Sequence, residues 1–138
     1  MADVNVQELE RRAQQRGQPF RVLIVDDEVR VREVLRDFCR LTQALDVELA
    51  SNGTEAVEKM KARTYDLVTM DLIMPEMSGL DALTAIKQVS PATPVIVITG
   101  NATEKLVNAA GVQGASRVMY KPVMLDDFVA ELTSMLAK

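Results

Sequence analysis

The sequence predicts an α/β fold: a doubly wound, five-stranded parallel sheet with helices on both faces. Three observations carry this expectation. Short runs rich in β-branched residues recur five times along the 138 residues, and stretches with helical spacing of apolar side chains separate them. Two of the runs, Arg21–Val25 and Pro94–Ile98, are continuously apolar, as strands covered on both faces are. Strand–helix alternation of this kind implies parallel pairing through right-handed crossovers.

Residues 1–19 precede the first strand as an N-terminal extension. Val6, Leu9 and Ala13 fall on one helical stripe, with Asn5 and Glu8 at capping-box spacing, so a short helix or a polar tail is expected there. Strand one is Arg21–Val25, and Val31, Val34, Leu35, Phe38 and Leu41 make the apolar stripe of the helix after it. Strand two, Val47–Ala50, alternates more and suits a sheet edge; Asn52-Gly53 then breaks the chain before a helix carrying Ala56, Val57 and Met60. Strand three is Asp66–Met70, followed by a helix that opens at Ser78-Gly79 and presents Leu83 and Ile86. Pro91 and Pro94 separate that helix from strand four, Pro94–Ile98. A helix over Thr103–Val112, a fifth strand at Arg117–Tyr120 and a closing amphipathic helix through Leu125, Phe128, Leu132, Met135 and Leu136 complete a single domain over residues 20–138.

Composition excludes several function classes. Hydrophobic residues at 48% and charged residues at 26% are ordinary globular values. A net charge of −4 matches a polyanion poorly, which disfavours direct nucleic-acid binding. The lone Cys39 cannot form an internal disulfide and fits a reducing compartment. The chain has no histidine, which removes His-dependent triads, His metal ligands and a phosphohistidine of its own. No apolar stretch approaches the ~18 residues of a membrane span, and residues 1–18 lack the apolar run of a signal peptide. A cytoplasmic protein without membrane insertion is expected.

In a parallel α/β sheet, ligands bind beyond the carboxyl ends of the strands. Strand one ends in Asp26-Asp27, with Glu28 next; strand three ends in Asp71; strand four runs into Thr99-Gly100; strand five ends in Lys121-Pro122. An aspartate here is often just a helix cap, and a lone threonine or lysine means little. Together, crowded carboxylates repel unless a cation is bound, and Mg²⁺ prefers carboxylate and water oxygens. One carboxylate oxygen left free would be a nucleophile, with the lysine and the hydroxyl placed to stabilise the oxygens of a transferred phosphoryl group.

Over roughly residues 20–137 the chain resembles a two-component response-regulator receiver domain. The resemblance rests on Val25-Asp26-Asp27-Glu28, Asp71-Leu72-Ile73-Met74-Pro75, Thr99-Gly100 and Lys121-Pro122, in this order and spacing. It implies a flavodoxin-like strand order of 2-1-3-4-5 and Asp71 as phosphoacceptor from the phosphohistidine of a sensor kinase. It further implies Mg²⁺ held by Asp27, Asp71 and the Ile73 carbonyl, with Asp26 acting through water. Thr99 and Lys121 would each meet a phosphoryl oxygen, and the bond before Pro122 would be cis. In similar receivers the residues matching Ile73 and Asn101 flank the hydrolytic water; the apolar Ile73 side chain cannot orient it, so self-dephosphorylation slower than in an Ile73→Asn variant is expected. The family usually has an aromatic ring three residues before the strand-five lysine, where this chain has Val118. Tyr120, two residues on and on the same strand face, either takes part of the switch role beside Thr99 or is simply an exposed strand-end aromatic, and both readings stay open.

The expected function is therefore that of a stand-alone response regulator: not an enzyme on other substrates, but a phosphorylation switch for protein–protein binding. Its partners would be a sensor histidine kinase and a downstream effector docking on about residues 103–135. A phosphorelay intermediate that hands its phosphoryl to a histidine phosphotransfer protein shares the same chemistry and stays open. An aspartyl-nucleophile phosphatase is disfavoured, because such enzymes carry an acid two residues after the nucleophile, where Ile73 stands here. Met1 and a complete closing helix favour an intact small protein over one module of a larger regulator.

Overall fold

The computed structural model describes residues 2–137, with side chains from Val6 onward. Eleven elements alternate along the chain: α1 (Ala2–Arg16), β1 (Phe20–Val25), α2 (Val29–Cys39), β2 (Leu45–Ala50), α3 (Gly53–Ala62), β3 (Leu67–Met70), α4 (Gly79–Val89), β4 (Val95–Thr99), α5 (Glu104–Val112), β5 (Arg117–Tyr120) and α6 (Leu125–Leu136). The strands form one parallel sheet in the order β2-β1-β3-β4-β5. The continuously apolar β1 and β4 lie inside the sheet, and the alternating β2 lies at an edge, as the patterns predict.

Side chains alternate between two cores along each strand. Leu23 and Val25 of β1, Val68 and Met70 of β3, and Val95 and Val97 of β4 pack under α3, α4 and α5. Val22, Ile24, Leu67, Ile96 and Ile98 pack on the other face, under Leu35 and Cys39 of α2 and Phe128 and Leu132 of α6. Three helices open on side-chain caps: Asn52 accepts the Glu55 amide, Ser78 the Asp81 amide and Thr103 the Leu106 amide. These are the breaks that the sequence marks at Asn52-Gly53, Ser78-Gly79 and Thr103.

Two expectations need correction. The stripe of α2 does not include Val34 and Leu41, which are 47% and 64% exposed. The helix ends at Cys39, so Leu41 lies past the last turn, and Val34 flanks the buried line of Leu35 and Cys39. Nor does Asn5 cap a helix, since α1 is already helical from Ala2. Glu8 instead receives Arg11 at 2.6 Å and Arg12 at 3.1 Å from the following turn.

The extension is a helix of 15 residues. It lies against α6 and closes the amino-terminal end of the sheet, where Leu9 and Ala13 bury themselves with Phe20, Ala44, Leu45 and Leu136. Arg16 ties it down, stacking 4.4 Å from the centre of the Phe20 ring and reaching Asp66 at 3.2 Å. Glu10 accepts the Thr42 hydroxyl at 3.0 Å.

Candidate functional site

Parallel pairing brings the carboxyl ends of the strands to one rim. The Asp71 amide donates to the Val25 carbonyl at 3.2 Å and the Lys121 amide to the Thr99 carbonyl at 3.0 Å, so each residue extends the ladder one step past its strand. Asp26, Asp71 and Thr99 are buried there, while Asp27 and Glu28 are exposed. Among the described residues, oxygens of Asp26, Asp27, Glu28 and Asp71 lie within 4.8 Å of one another.

Local turns aim the two buried acids. Asp26 Oδ1 accepts the Glu28 amide at 2.9 Å, and Asp71 Oδ1 accepts the Ile73 amide at 3.0 Å. Each is a side-chain bond to the backbone two residues on, which Asp makes readily. The second oxygens turn to Lys121, whose Nζ stands 2.6 Å from Asp71 Oδ2, 2.9 Å from Asp26 Oδ2 and 3.0 Å from Glu28 Oε1. An ammonium has three N–H donors, so three carboxylates account for all of them. Burial pulls the Lys121 ammonium down, but its bonds to Asp71, Asp26 and Glu28 together hold its pKa above the usual lysine value. Burial pushes the Asp26 carboxyl above the ordinary range, against the lowering effect of the Glu28 amide and Lys121.

Thr99 extends β4 two positions beyond Val97, the partner of Met70, and so stands beside the loop that begins at Asp71. Its hydroxyl oxygen is buried and has no hydrogen-bond partner among the described residues. Such an orphan costs about 1–3 kcal/mol and is a place for an incoming polar atom. The Lys121–Pro122 peptide bond is cis. Ile73 points its side chain outward, 51% exposed, and Asn101 is exposed as well. Val118 is half-buried against the core, whereas Tyr120, paired in register with Thr99, is 59% exposed.

Three further residues shape the site. A Cβ on Gly79 would fall 2.3 Å from Leu72 Cα and 2.6 Å from the Asp71 carbonyl oxygen, so only glycine lets the first turn of α4 press against the backbone that carries Asp71. The sequence signal is a glycine directly behind the cap Ser78, which reads as a turn former and not as a close approach. Arg32 donates to the Asp26 carbonyl at 2.6 Å and pins the acid pair from α2. Glu28 is legible as a third acid, but its bond to Lys121 is not, because the two are far apart in the chain.

A buried carboxylate held by an ammonium, flanked by further carboxylates and an unpartnered hydroxyl, is an arrangement for an anionic group arriving at a nucleophilic oxygen. Residues 22–133 match the response regulator receiver domain. The chain belongs to that family. It is 39% identical to the chemotaxis protein CheY of Bacillus subtilis over 106 residues, covering 77% of this chain and 88% of that protein. It is 40% identical to CheY of Thermotoga maritima over 102 residues, 74% of this chain and 85% of the other. Among solved structures, a CheY-like receiver domain protein from Methanospirillum hungatei superposes with a TM-score of 0.83 over 86% of this chain and 94% of that one; at 24% identity this likeness speaks for the fold. The receiver match begins after α1, which therefore lies outside the family pattern. No helix among the described residues is long and apolar enough to cross a membrane.

Proposed function

We propose that this receiver takes a phosphoryl group from the phosphohistidine of a sensor kinase onto Asp71, in a magnesium-dependent step, and thereby changes its binding to an effector protein inside the cell. The observation that carries the reading is the contact of Lys121 with both buried acids, next to the orphan hydroxyl of Thr99. Asp71 Oδ2 attacks phosphorus, a P–O bond forms, and the donor's P–N bond breaks with its electron pair leaving on the imidazole. Lys121 already touches the attacking oxygen and stays to neutralise a phosphoryl oxygen, while the Thr99 hydroxyl donates to another. An all-oxygen donor set suits Mg²⁺, which would be held by Asp27, Asp71 and the Ile73 carbonyl, with Asp26 through water. Bound there, the ion would screen the carboxylates from one another and from the incoming phosphoryl.

The Ile73 side chain offers no polar atom to a hydrolytic water, which supports a phosphoryl state longer-lived than in an Ile73→Asn variant. Output would pass through α5, β5 and α6, residues 103–135, where Val112, Tyr120 and Met124 are exposed by 89%, 59% and 63%. Tyr120 acts as the aromatic reporter in place of the ring absent at Val118; an unchanged Tyr120 environment on phosphorylation overturns that role.

The deciding experiment compares Asp71→Asn with wild type in uptake of phosphoryl from a phosphoramidate or acyl phosphate with magnesium present. The amide is neither nucleophile nor anion, so uptake is lost. Uptake at the wild-type rate would falsify the assignment of the acceptor.

A further inference from the structure

We propose that Glu28 is a positioning residue that competes with the phosphoryl group for Lys121, and so holds the receiver toward its unphosphorylated form. The inference rests on the reading of Asp71 as phosphoacceptor and deepens it.

All three donors of Lys121 are engaged by carboxylates; attack by Asp71 Oδ2 frees one of them, and for the ammonium to move fully onto the phosphoryl oxygens it must also draw on its contact with Asp26 or Glu28. The three are not equal. Asp26 and Asp71 are buried, and each is fixed by a second bond to a backbone amide. The Glu28 side chain is 60% exposed and reaches in from the first residue before α2. Water competes most strongly for that contact, and it is the one that opens. Breaking it is a cost borne only by the phosphorylated form, so Glu28 favours the unphosphorylated form by the value of the contact. Its charge has a separate and opposite effect on the metal. As one of four carboxylates gathered within 4.8 Å, it adds to the attraction for a divalent cation.

Two titrations of the full chain separate these effects, one with magnesium alone and one with beryllofluoride at saturating magnesium, both followed by amide chemical shifts. Glu28→Gln removes the charge: magnesium binds about three- to fivefold more weakly and beryllofluoride about two- to fivefold more tightly, the scale of a partly exposed ion pair. Glu28→Asp keeps the charge on a side chain one methylene shorter, so magnesium binding stays near wild type while beryllofluoride still tightens. A residue that merely props up the loop would weaken both ligands together. Beryllofluoride affinity that stays level or falls in either variant overturns the proposal. Asp71→Asn serves as the reference: if it still binds beryllofluoride, the phosphoacceptor reading itself fails, whereas loss there with no gain in the Glu28 variants sinks only the role of Glu28.

Discussion

The two ends of the sheet are made by the same five strands and are built on opposite terms. At the amino-terminal end, α1 lies over Phe20, Ala44 and Leu136 and buries Leu9 and Ala13 among them. At the carboxyl end, Asp26, Asp71 and Thr99 are buried, two of them as acids that share one lysine and the third with no partner for its hydroxyl. One end lowers the free energy of the fold by removing apolar surface from water. The other accumulates charge and unsatisfied polarity, which the proposed ion and phosphoryl group would relieve.

The largest effect that tests this contrast lies at the base. Leu9→Ala removes a side chain that is 0% exposed and leaves a cavity under α1, for a loss of about 2 to 4 kcal/mol in chemical denaturation. Phosphoryl uptake per folded molecule should not change, since Leu9 packs only in the cluster at the far end of the strands. Uptake falling in proportion to stability would show that the two ends are not independent.

Next comes a break at the rim. Gly79→Ala puts a methyl against the backbone of Asp71 and Leu72, which cannot swing aside as a side-chain tip can. The loop must shift, at about 1 to 3 kcal/mol. Here function should suffer more than stability, with a fall in phosphorylation rate of tenfold or more. A variant destabilised like Leu9→Ala but phosphorylated normally would remove Gly79 from the site.

A smaller effect has the opposite sign. Burial raises the Asp26 carboxyl above its ordinary 3.8, so between those two values the folded chain binds more protons than the unfolded one. Stability therefore falls as pH rises through that window, and the ionised acid is a net cost above it. Asp26→Asn keeps an oxygen for the Glu28 amide, and although its NH2 then faces Lys121 in place of Oδ2, it should leave the metal-free protein slightly more stable at neutral pH. The gain should shrink toward acid pH, where wild-type Asp26 is itself neutral, and saturating magnesium should cancel it. Thermal melts from acid to neutral pH check this; a gain that does not depend on pH would point to packing instead of charge.

The sequence reveals the fold nearly whole because hydrophobic periodicity and turn residues are local signals. The runs at Arg21–Val25 and Arg117–Tyr120 match β1 and β5 to within a residue, and Asn52, Ser78 and Thr103 mark three helix starts. Membership of the site is legible for a related reason: in a parallel sheet, residues at strand ends share a rim whatever their separation in the chain. Contacts across the rim are not legible. The reach of Lys121 to Glu28, the hold of Arg32 on the Asp26 carbonyl and the approach of Gly79 to Leu72 depend on how loops fold over the strand ends. The base was legible only in part. Leu9 and Ala13 share a stripe in the sequence, but whether a short amphipathic segment docks depends on what it finds, here Phe20, Ala44 and Leu136.

The smallest prediction compares how the two ends handle the same backbone conformation. Gly17 makes the turn between α1 and β1 at φ 76°, where glycine meets no steric penalty, and a Cβ there would touch nothing within 4 Å. Glu76, in the loop after Asp71, sits at φ 67° with a full side chain. That left-handed geometry costs a non-glycine residue about 1–2 kcal/mol, offset in part by the lower entropy of its unfolded chain. Exchange at the two positions should therefore run in opposite directions. Gly17→Ala should lose about 1 kcal/mol through the backbone alone, since the added methyl has open space. Glu76→Gly should gain about 0.5 kcal/mol, and it should also loosen the loop that Ile73 and Gly79 help hold against Asp71. Denaturation of both variants, beside phosphorylation rates for Glu76→Gly, tests the pair. If Glu76→Gly is less stable than wild type, the strain at the rim is repaid by contacts of the glutamate itself, and the rim is not held in the tension that sets it apart from the base.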